Sequence, residues 1–476
     1  MKYHQLPQKQ VFLCLTGLLI SSALIVSLVS CSGGSSASIV STNPTLTTTT
    51  TGSTSSTSGS PTSSPAATLS LAAQVGKNLF FDQNLSGSGK MSCASCHSPN
   101  LAYGPTNAQA VQLGGLTLST AGFRAVPTLT YKEYTPAYAD LLDNPDGISI
   151  PGPGGGFTWD GRVNTLAAQA QIPLLDIHEM ANASPAAVVA QIQAATYAPL
   201  FIQAFGSMAF ADVNTAFTNA VNALQAFQLE DSSFHPFSSK YDLYAGNKIG
   251  GTLTAAEQRG LAVFTNPSTG NCASCHYQGA GLNGSAALFT DFSYEAIGVP
   301  RNQAIPANQV ASYYDMGLCG PLRTDHLPAS TGAPNTFCGM VKTPTLRNVA
   351  TRSTFFHNGV MHSLQQVIRF YNTRDTNPEI WYPTVGGTAL ATPNSNFPLY
   401  GLITTQYTGG TVQKFNDLPA AYLQNIDKQL PMDGRPAGST PPMSEQNISD
   451  LVCFLNILTD GYQIPTTVPT TGACIN

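Results

Sequence analysis

The pentapeptide Cys93-Ala94-Ser95-Cys96-His97 recurs unchanged as Cys272-Ala273-Ser274-Cys275-His276. Two thiols separated by two residues, with a histidine directly after the second, form the attachment signature of a c-type haem. The thiols are spaced to add to the two vinyl groups of one porphyrin, and the adjoining imidazole then lies beneath the iron as its lower ligand. A redox or zinc cysteine pair with a chance histidine would not be expected twice in identical form. The chain therefore reads as a carrier of two covalently bound haem c groups, with His97 on one iron and His276 on the other.

The surroundings of the two motifs are also alike. Residues 71–81 have helical apolar spacing and contain Gly76 and Phe80; residues 254–264 repeat it with Gly260 and Phe264. Glycine followed four residues later by an aromatic suits a first helix that crosses a last helix closely. Repeated ahead of identical motifs, the pattern predicts an internal duplication. The expected fold is mainly α, with two cytochrome c-like modules, residues 71–245 and 246–476, joined to long irregular loops. Helices are predicted over 166–170, 185–195 and 213–229. A last one over 444–458, capped by Ser444 and bearing Leu451, Phe454, Leu455 and Leu458 on one face, is expected to cross the Gly260 helix.

The N-terminal part has a different character. Within residues 1–31 an apolar run over 11–29 ends in Leu28-Val29-Ser30-Cys31, an export signal whose end resembles a bacterial lipobox. Cys31 would then be the lipidated first residue of the mature chain, while the alternative is an uncleaved anchor. Either reading places a tethered protein in the bacterial cell envelope, facing the periplasm or the surface. Residues 32–70 are Ser, Thr, Gly and Pro with almost no large apolar side chain, which predicts a disordered linker. The 476 residues carry a net charge of -5 and only 9% charged side chains, so no basic patch for nucleic acid is present. Of ten cysteines, four lie in the haem motifs and Cys14 and Cys31 in the signal region. The other four form two sequence-local pairs, and Cys319–Cys338 and Cys453–Cys474 are the natural disulfides of an oxidising compartment, although sequence alone leaves connectivity open.

Between the haem motifs lie Phe157-Thr158-Trp159-Asp160-Gly161-Arg162, then Gln169, Pro173 and Glu179-Met180. After the second come residues 342–350, Phe356-His357-Asn358-Gly359 and a helix reaching Phe370-Tyr371-Asn372. From about residue 71 to 462 the chain resembles the bacterial di-haem cytochrome c peroxidase family, which includes the MauG-type enzymes. The resemblance implies that Trp159 lies between the haems and relays electrons, and that Gln169 and Glu179 line the peroxide-binding side of the first haem. Chemistry supports the acid independently: peroxide cleavage moves a proton from the inner to the outer oxygen, which calls for a carboxylate held in an apolar pocket. Pro173-Leu174-Leu175 is an apolar approach of that kind.

Two departures from the family's conventional members stand out. Where they carry the Met ligand of a high-potential second haem, this chain has Tyr371, as the MauG-type branch does. A tyrosine oxygen is a hard donor that stabilises oxidised iron, and its binding as phenolate relies on the charge of the metal, since a free phenol titrates near roughly 10. Met361 is the second choice, with Met340 and His362 behind it. Conventional members also cap the first iron with a loop histidine, but no histidine stands between His97 and His178. The first iron is therefore expected to be open to peroxide without prior reduction. His178 adjoins Glu179, and sequence neighbours rarely point the same way. For calcium, the family's side-chain ligand position is Ala125 and the carbonyl ligands would come from Arg352 and Thr354, so the lost side chain weighs against the ion. Arg162 reads as a haem-propionate or ion-pair residue, His357 as a neighbour of a ligand, and His235 and His326 as loop residues; Trp381, if exposed, would be a relay to a substrate.

The expected reaction consumes hydrogen peroxide, with electrons from a small redox protein or from an oxidisable residue of a partner protein. The alternatives are a conventional cytochrome c peroxidase that removes peroxide, and a non-enzymatic electron-transfer cytochrome with both irons fully ligated.

Overall fold

A computed structural model describes residues 68–476 apart from 282–283, 327–334, 393–400, 468–471, 473 and 476. The export signal, Cys31 and the linker up to residue 67 lie outside the described residues.

Helix Leu71–Phe81 starts where Ser70 Oγ accepts from the Ala73 amide at 3.1 Å, relieving one of the unpaired amides of the first turn. It buries Ala73, Val75, Leu79 and Phe80 against helix Val213–Glu230, which Asp212 caps. At the crossing, Gly76 is required: a Cβ there would stand 1.9 Å from the Ala223 carbonyl oxygen. The second half repeats the arrangement. Thr254 and Glu257 form a capping box that opens helix Ala255–Thr265, and Ser444 opens Glu445–Asn456 with Asn447. A Cβ at Gly260 would stand 2.0 Å from the Asp450 carbonyl oxygen. The expected close crossing of a first and a last helix is thus present twice.

Each crossing organises its own apolar cluster. One gathers buried side chains from Val75 to Phe234, the other from Tyr241 to Leu458. The change from one to the other falls between Phe234 and Tyr241, a stretch held by ordered contacts. Ser239 caps a short helix, Lys240–Ala245, and Arg347, 1% exposed, grips Asp242 at 2.7 and 3.0 Å. A buried cation at that depth persists only with such a paired acid. Cys319–Cys338 and Cys453–Cys474 are bonded as expected.

Helix Leu166–Leu175 runs one turn past its predicted end at residue 170, with Pro173 inside it. Proline costs little there because the helix stops two residues later, and the Pro173 carbonyl is taken up by the Met180 amide at 3.0 Å. Helix Ala198–Phe205 had no counterpart in the sequence reading. Strands among the described residues form only two-stranded antiparallel ladders, and the rest is long loop.

Gly260→Ala should lower stability by about 1–3 kcal/mol, the usual range for overpacking a close contact. Thermal unfolding of the purified protein checks this, and an unchanged midpoint would show that the helices are free to separate.

Candidate active site

A cavity of about 260 Å³ lies above the first pentapeptide and brings Cys93, Cys96, His97, Trp159, Gln169 and Glu179 to one space. Its floor is rigid. Ser92 and Ser95 close a capping box around the turn Cys93–Cys96, and His97 Nδ1 donates to the Tyr103 carbonyl at 2.9 Å. That bond fixes the tautomer and leaves the Nε2 lone pair free to bind a metal. Burial lowers the His97 pKa to about 4, so the ring is neutral at physiological pH. Neither thiol is in a disulfide.

Gln169 projects from helix Leu166–Leu175, and its amide bonds no described residue. Beyond the helix, the turn bearing Glu179 is clamped by the hairpin of Leu113–Gly114 and Thr120–Ala121. Gly115 N–H donates to the Glu179 carbonyl at 2.8 Å, and a Cβ on Gly114 would meet the His178 carbonyl oxygen at 2.3 Å. The Glu179 side chain retains exposed surface and lines the cavity. Burial, and then the Asp176 charge, push its pKa up to about 7 against the pull of Arg162. The Glu179 charge reaches both the Cys93 and Cys96 thiols. A carboxyl in this setting holds or yields a proton at neutral pH. His178 is turned to the hairpin, its Nδ1 3.1 Å from the Ala121 carbonyl and its ring centre 4.5 Å from that of Phe123.

Trp159 is 9% exposed, and its indole N–H donates to the Ala125 carbonyl at 2.8 Å. Beside it Asp160, with no exposure, sits between Arg124 at 2.8 Å and Arg162 at 2.9 Å. Burial alone would raise this carboxyl; the two guanidiniums outweigh it and hold the pKa down to about 2. Arg124 also forks onto Asp315 at 2.6 and 2.7 Å, a residue of the second half.

Three further cations approach the same space without a carboxylate partner among the described residues: Lys132, Lys342 and Arg352. Burial lowers Lys132 to about 8 and Arg352 to about 10, and burial with the Lys132 charge lowers Lys342 as well. Enclosed cations unpaired by protein await an anion. A haem brings two carboxylates, so the thiols, the free Nε2 and these cations together fit a covalently held haem c. The sequence shows the charge of Lys132, Lys342 and Arg352 but not their enclosure, since polar neighbours such as Glu133, Thr343 and Ser353 flank them.

The second pentapeptide has the same floor. His276 Nδ1 lies 3.0 Å from the Phe289 carbonyl, and burial lowers its pKa to about 4. Tyr371, on helix Leu364–Thr373 capped by Ser363, packs near Phe356 and Phe370 with ring centres 5.8 and 6.1 Å away. Its hydroxyl bonds no described residue. Burial, then the Cys275 and Cys272 thiols, raise its pKa, which places it opposite the second motif. Met361 is 0% exposed within the second apolar cluster, Met340 packs against Ala296, Leu418 and Ile426, and His362 is at the surface with Nδ1 3.3 Å from the Ser353 carbonyl.

Other expectations change. Trp381 is 1% exposed, its indole N–H bonded to Thr373 Oγ1 at 2.9 Å and its ring against Phe370, so it is not a surface relay. The neighbours Ile380 and Tyr382, also buried, were the available signal. Calcium does not fit. The Arg352 guanidinium already donates to the carbonyls of Val126 at 2.9 Å and Thr354 at 3.3 Å, and both polar groups of the Ala125 backbone are taken, by His357 and Trp159. His235 pairs with Glu133 at 3.0 Å, and His326 bridges Asp140 and Asp325 at 2.9 and 3.1 Å.

Fold and site define a c-type di-haem protein with an acid poised over one haem position. The profile described as Di-haem cytochrome c peroxidase matches residues 70–249. The chain is 34% identical over 310 residues to the methylamine utilization protein MauG of Paracoccus denitrificans, covering 63% of this chain and 74% of that one. It is 26% identical over 403 residues to the cytochrome-c peroxidase IdrP1 of Denitromonas iodatirespirans, covering 81% and 89%. Among solved structures, the diheme peroxidase BthA of Burkholderia thailandensis superposes with a TM-score of 0.68 at 35% identity, covering 85% of this chain and 90% of that one. The chain belongs to the di-haem cytochrome c peroxidase family, and so to the peroxidase class of oxidoreductases.

Glu179 should be a carboxylate above about pH 7 and a neutral acid below it. A base is active when deprotonated, so the rate of the absorbance change after peroxide mixing should rise through that pH. Glu179→Gln should slow it by about 10²–10⁴, the usual contribution of a positioned acid–base group, and flatten the profile. Stopped-flow rates across pH check both.

Proposed function

We propose that the chain is an envelope-tethered peroxidase that takes hydrogen peroxide at the pocket of His97. Electrons enter through the pocket of His276, from a small redox protein or from an oxidisable residue of a partner protein. The observation that carries this reading is Glu179, a proton-exchanging acid standing with Gln169 in the cavity of Cys93, Cys96 and His97. Haem c, covalently held at each pentapeptide, would supply the iron centres that accept and store charge. The proposed modules are residues 71–245 for the peroxide-binding haem and 246–476 for the other, with Cys31 as the lipid tether and residues 32–70 as the spacer.

Each residue has a part in this scheme. Glu179 takes the proton of the inner peroxide oxygen and returns it to the outer one, so that water can leave. The Gln169 amide offers a donor to orient the peroxide. Trp159, held by Ala125 and flanked by the Asp160 ion pairs, connects the two pockets. Tyr371 would bind the second iron as a phenolate, its burial penalty offset by the charge of the metal.

Tyr371 also bears on which member of the family this is. Relatives include MauG and BthA on one side and cytochrome-c peroxidases on the other. A phenolate in place of a thioether favours the MauG-like reading, in which the second iron shares oxidising equivalents. A conventional peroxide-removing cycle is the second reading, kept open by the IdrP1 match over 81% of the chain. A purely electron-carrying cytochrome would have no use for a raised acid over an open pocket.

Ultraviolet-visible and paramagnetic resonance spectra of the resting diferric protein, taken before and after an equimolar addition of peroxide, test the proposal. One high-spin and one low-spin iron, both altered by peroxide, are expected; a wholly low-spin spectrum that peroxide leaves unchanged sinks it. Tyr371→Met should raise the potential of the second haem by a sizeable part of the roughly 0.8 V that axial ligation spans. Spectroelectrochemical titration decides, and an unmoved potential removes Tyr371 as a ligand.

A further inference from the structure

From Trp159 the ion pairs through Arg124 lead to a second, much smaller cavity. It encloses about 20 Å³ between His357, Asp315 and Asp417, with Val299, Phe415 and Ile426 among its apolar walls. A void needs roughly 10–15 Å³ and two to four polar partners to hold a water molecule, so there is room for one. His357 is 7% exposed, and neither of its ring nitrogens has a hydrogen-bond partner. An unmet buried polar group costs on the order of 1–3 kcal/mol, so this ring calls for a bridging partner.

The charged groups around it are all accounted for except one. Asp315 is committed to Arg124 and to the Gly317 amide at 3.1 Å. Asp417 forms an ion pair with Arg301 at 3.1 Å and accepts from the Asn358 amide at 3.3 Å. Burial outweighs Arg301, and with Asp315 nearby the Asp417 carboxyl is pushed up to about 7. Burial lowers His357 to about 4, with Asp315 and Arg124 as the charges that face it. The cavity is also wired to the indole: the His357 carbonyl accepts from the Ala125 amide at 2.7 Å, and the Ala125 carbonyl accepts from Trp159 at 2.8 Å.

We infer that this cavity holds one water molecule bridging the His357 imidazole to the Asp417 carboxyl, forming a proton store that sets how readily Trp159 gives up an electron. Below neutrality Asp417 is a neutral acid and donates to the water. Above it the O–H bond breaks, the proton passes to bulk solvent, and the carboxylate left behind adds negative charge beside Asp315, at the far end of the Arg124 ion pairs that begin next to Trp159. No electron moves within the cluster; the oxidant remains peroxide. An electron-deficient Trp159 is stabilised by that added charge, so electron passage should speed up as pH rises. The electron-transfer half of this inference rests on Trp159 as the connector proposed above, while the water-bridged acid does not.

Infrared difference spectra of the resting holoprotein across pH test the store without peroxide. Wild type and Glu179→Gln should both lose a carboxylic-acid band as pH passes neutrality, and Asp417→Asn should lack that band throughout. A band set identical in wild type and Asp417→Asn overturns the inference. Should Asp417→Asn fail to fold, His357→Gln replaces it: the band should shift because the water has lost its imidazole, and an unshifted band also overturns the proposal. Stopped-flow reduction of the peroxide-treated protein then tests the coupling. Once peroxide has reacted to completion, the rate should rise about tenfold from one pH unit below neutrality to one above in the wild type, and stay flat in Asp417→Asn. If the band behaves as expected but Trp159→Phe leaves electron passage unaltered, the connector fails and the water-bridged acid stands.

Discussion

At the centre of this molecule lies a carboxylate with no access to solvent. Asp160 is stable there because Arg124 and Arg162 both reach it, and losing both would leave a buried charge uncompensated, a cost of about 3–5 kcal/mol. Much follows from that pairing. Asp160 holds Trp159 in place, Arg162 reaches on to influence Glu179, and Arg124 ties the first half to Asp315 in the second. The ion-pair network is thus one of the links between the two helix crossings, beside backbone bonds such as Ala125 to His357 and the apolar cluster of Tyr131, Leu288 and Phe292.

The two halves share one way of presenting a haem ligand. A histidine gives its Nδ1 proton to a backbone carbonyl, stays neutral through burial, and offers Nε2. They differ in what faces that ring. The first half sets an acid near neutrality and a free amide around an open cavity. The second sets a phenol with no hydrogen-bond partner among the described residues against its thiols. The floors of the two sites are alike, and the facing helices and turns make the sites unlike.

Electrostatics in the interior run against ordinary preference. A chain with 9% charged residues has buried several of them, and three cations close to the first cavity lack carboxylate partners among the described residues. Such a pattern is costly for a protein alone and sensible for one built around an acidic cofactor. Arg352 shows the same economy at the seam, where its guanidinium donates to the carbonyls of Val126 and Thr354, the second of which was an expected calcium ligand.

Legibility divided along physical lines. The haem motifs, the glycine crossings, the capped helices and both disulfides could be read locally, because attachment chemistry, helix periodicity and capping depend on residues a few positions apart. Trp159, Gln169, Glu179 and Tyr371 were named through family spacing, and the fold places the first three in one cavity. What stayed hidden was everything decided by encounters across the chain. The burial of Trp381 depends on a loop folding back onto Phe370. The isolation of His357, and the near-neutral titration of Asp417 and Glu179, arise from desolvation, which no residue carries in its own chemistry. Sequence alone therefore determined the two haem-attachment signatures and which thiols and imidazoles they offer. Only the tertiary structure decided which of those atoms are charged, because charge in a protein interior is set by the distances between groups that are far apart in the chain.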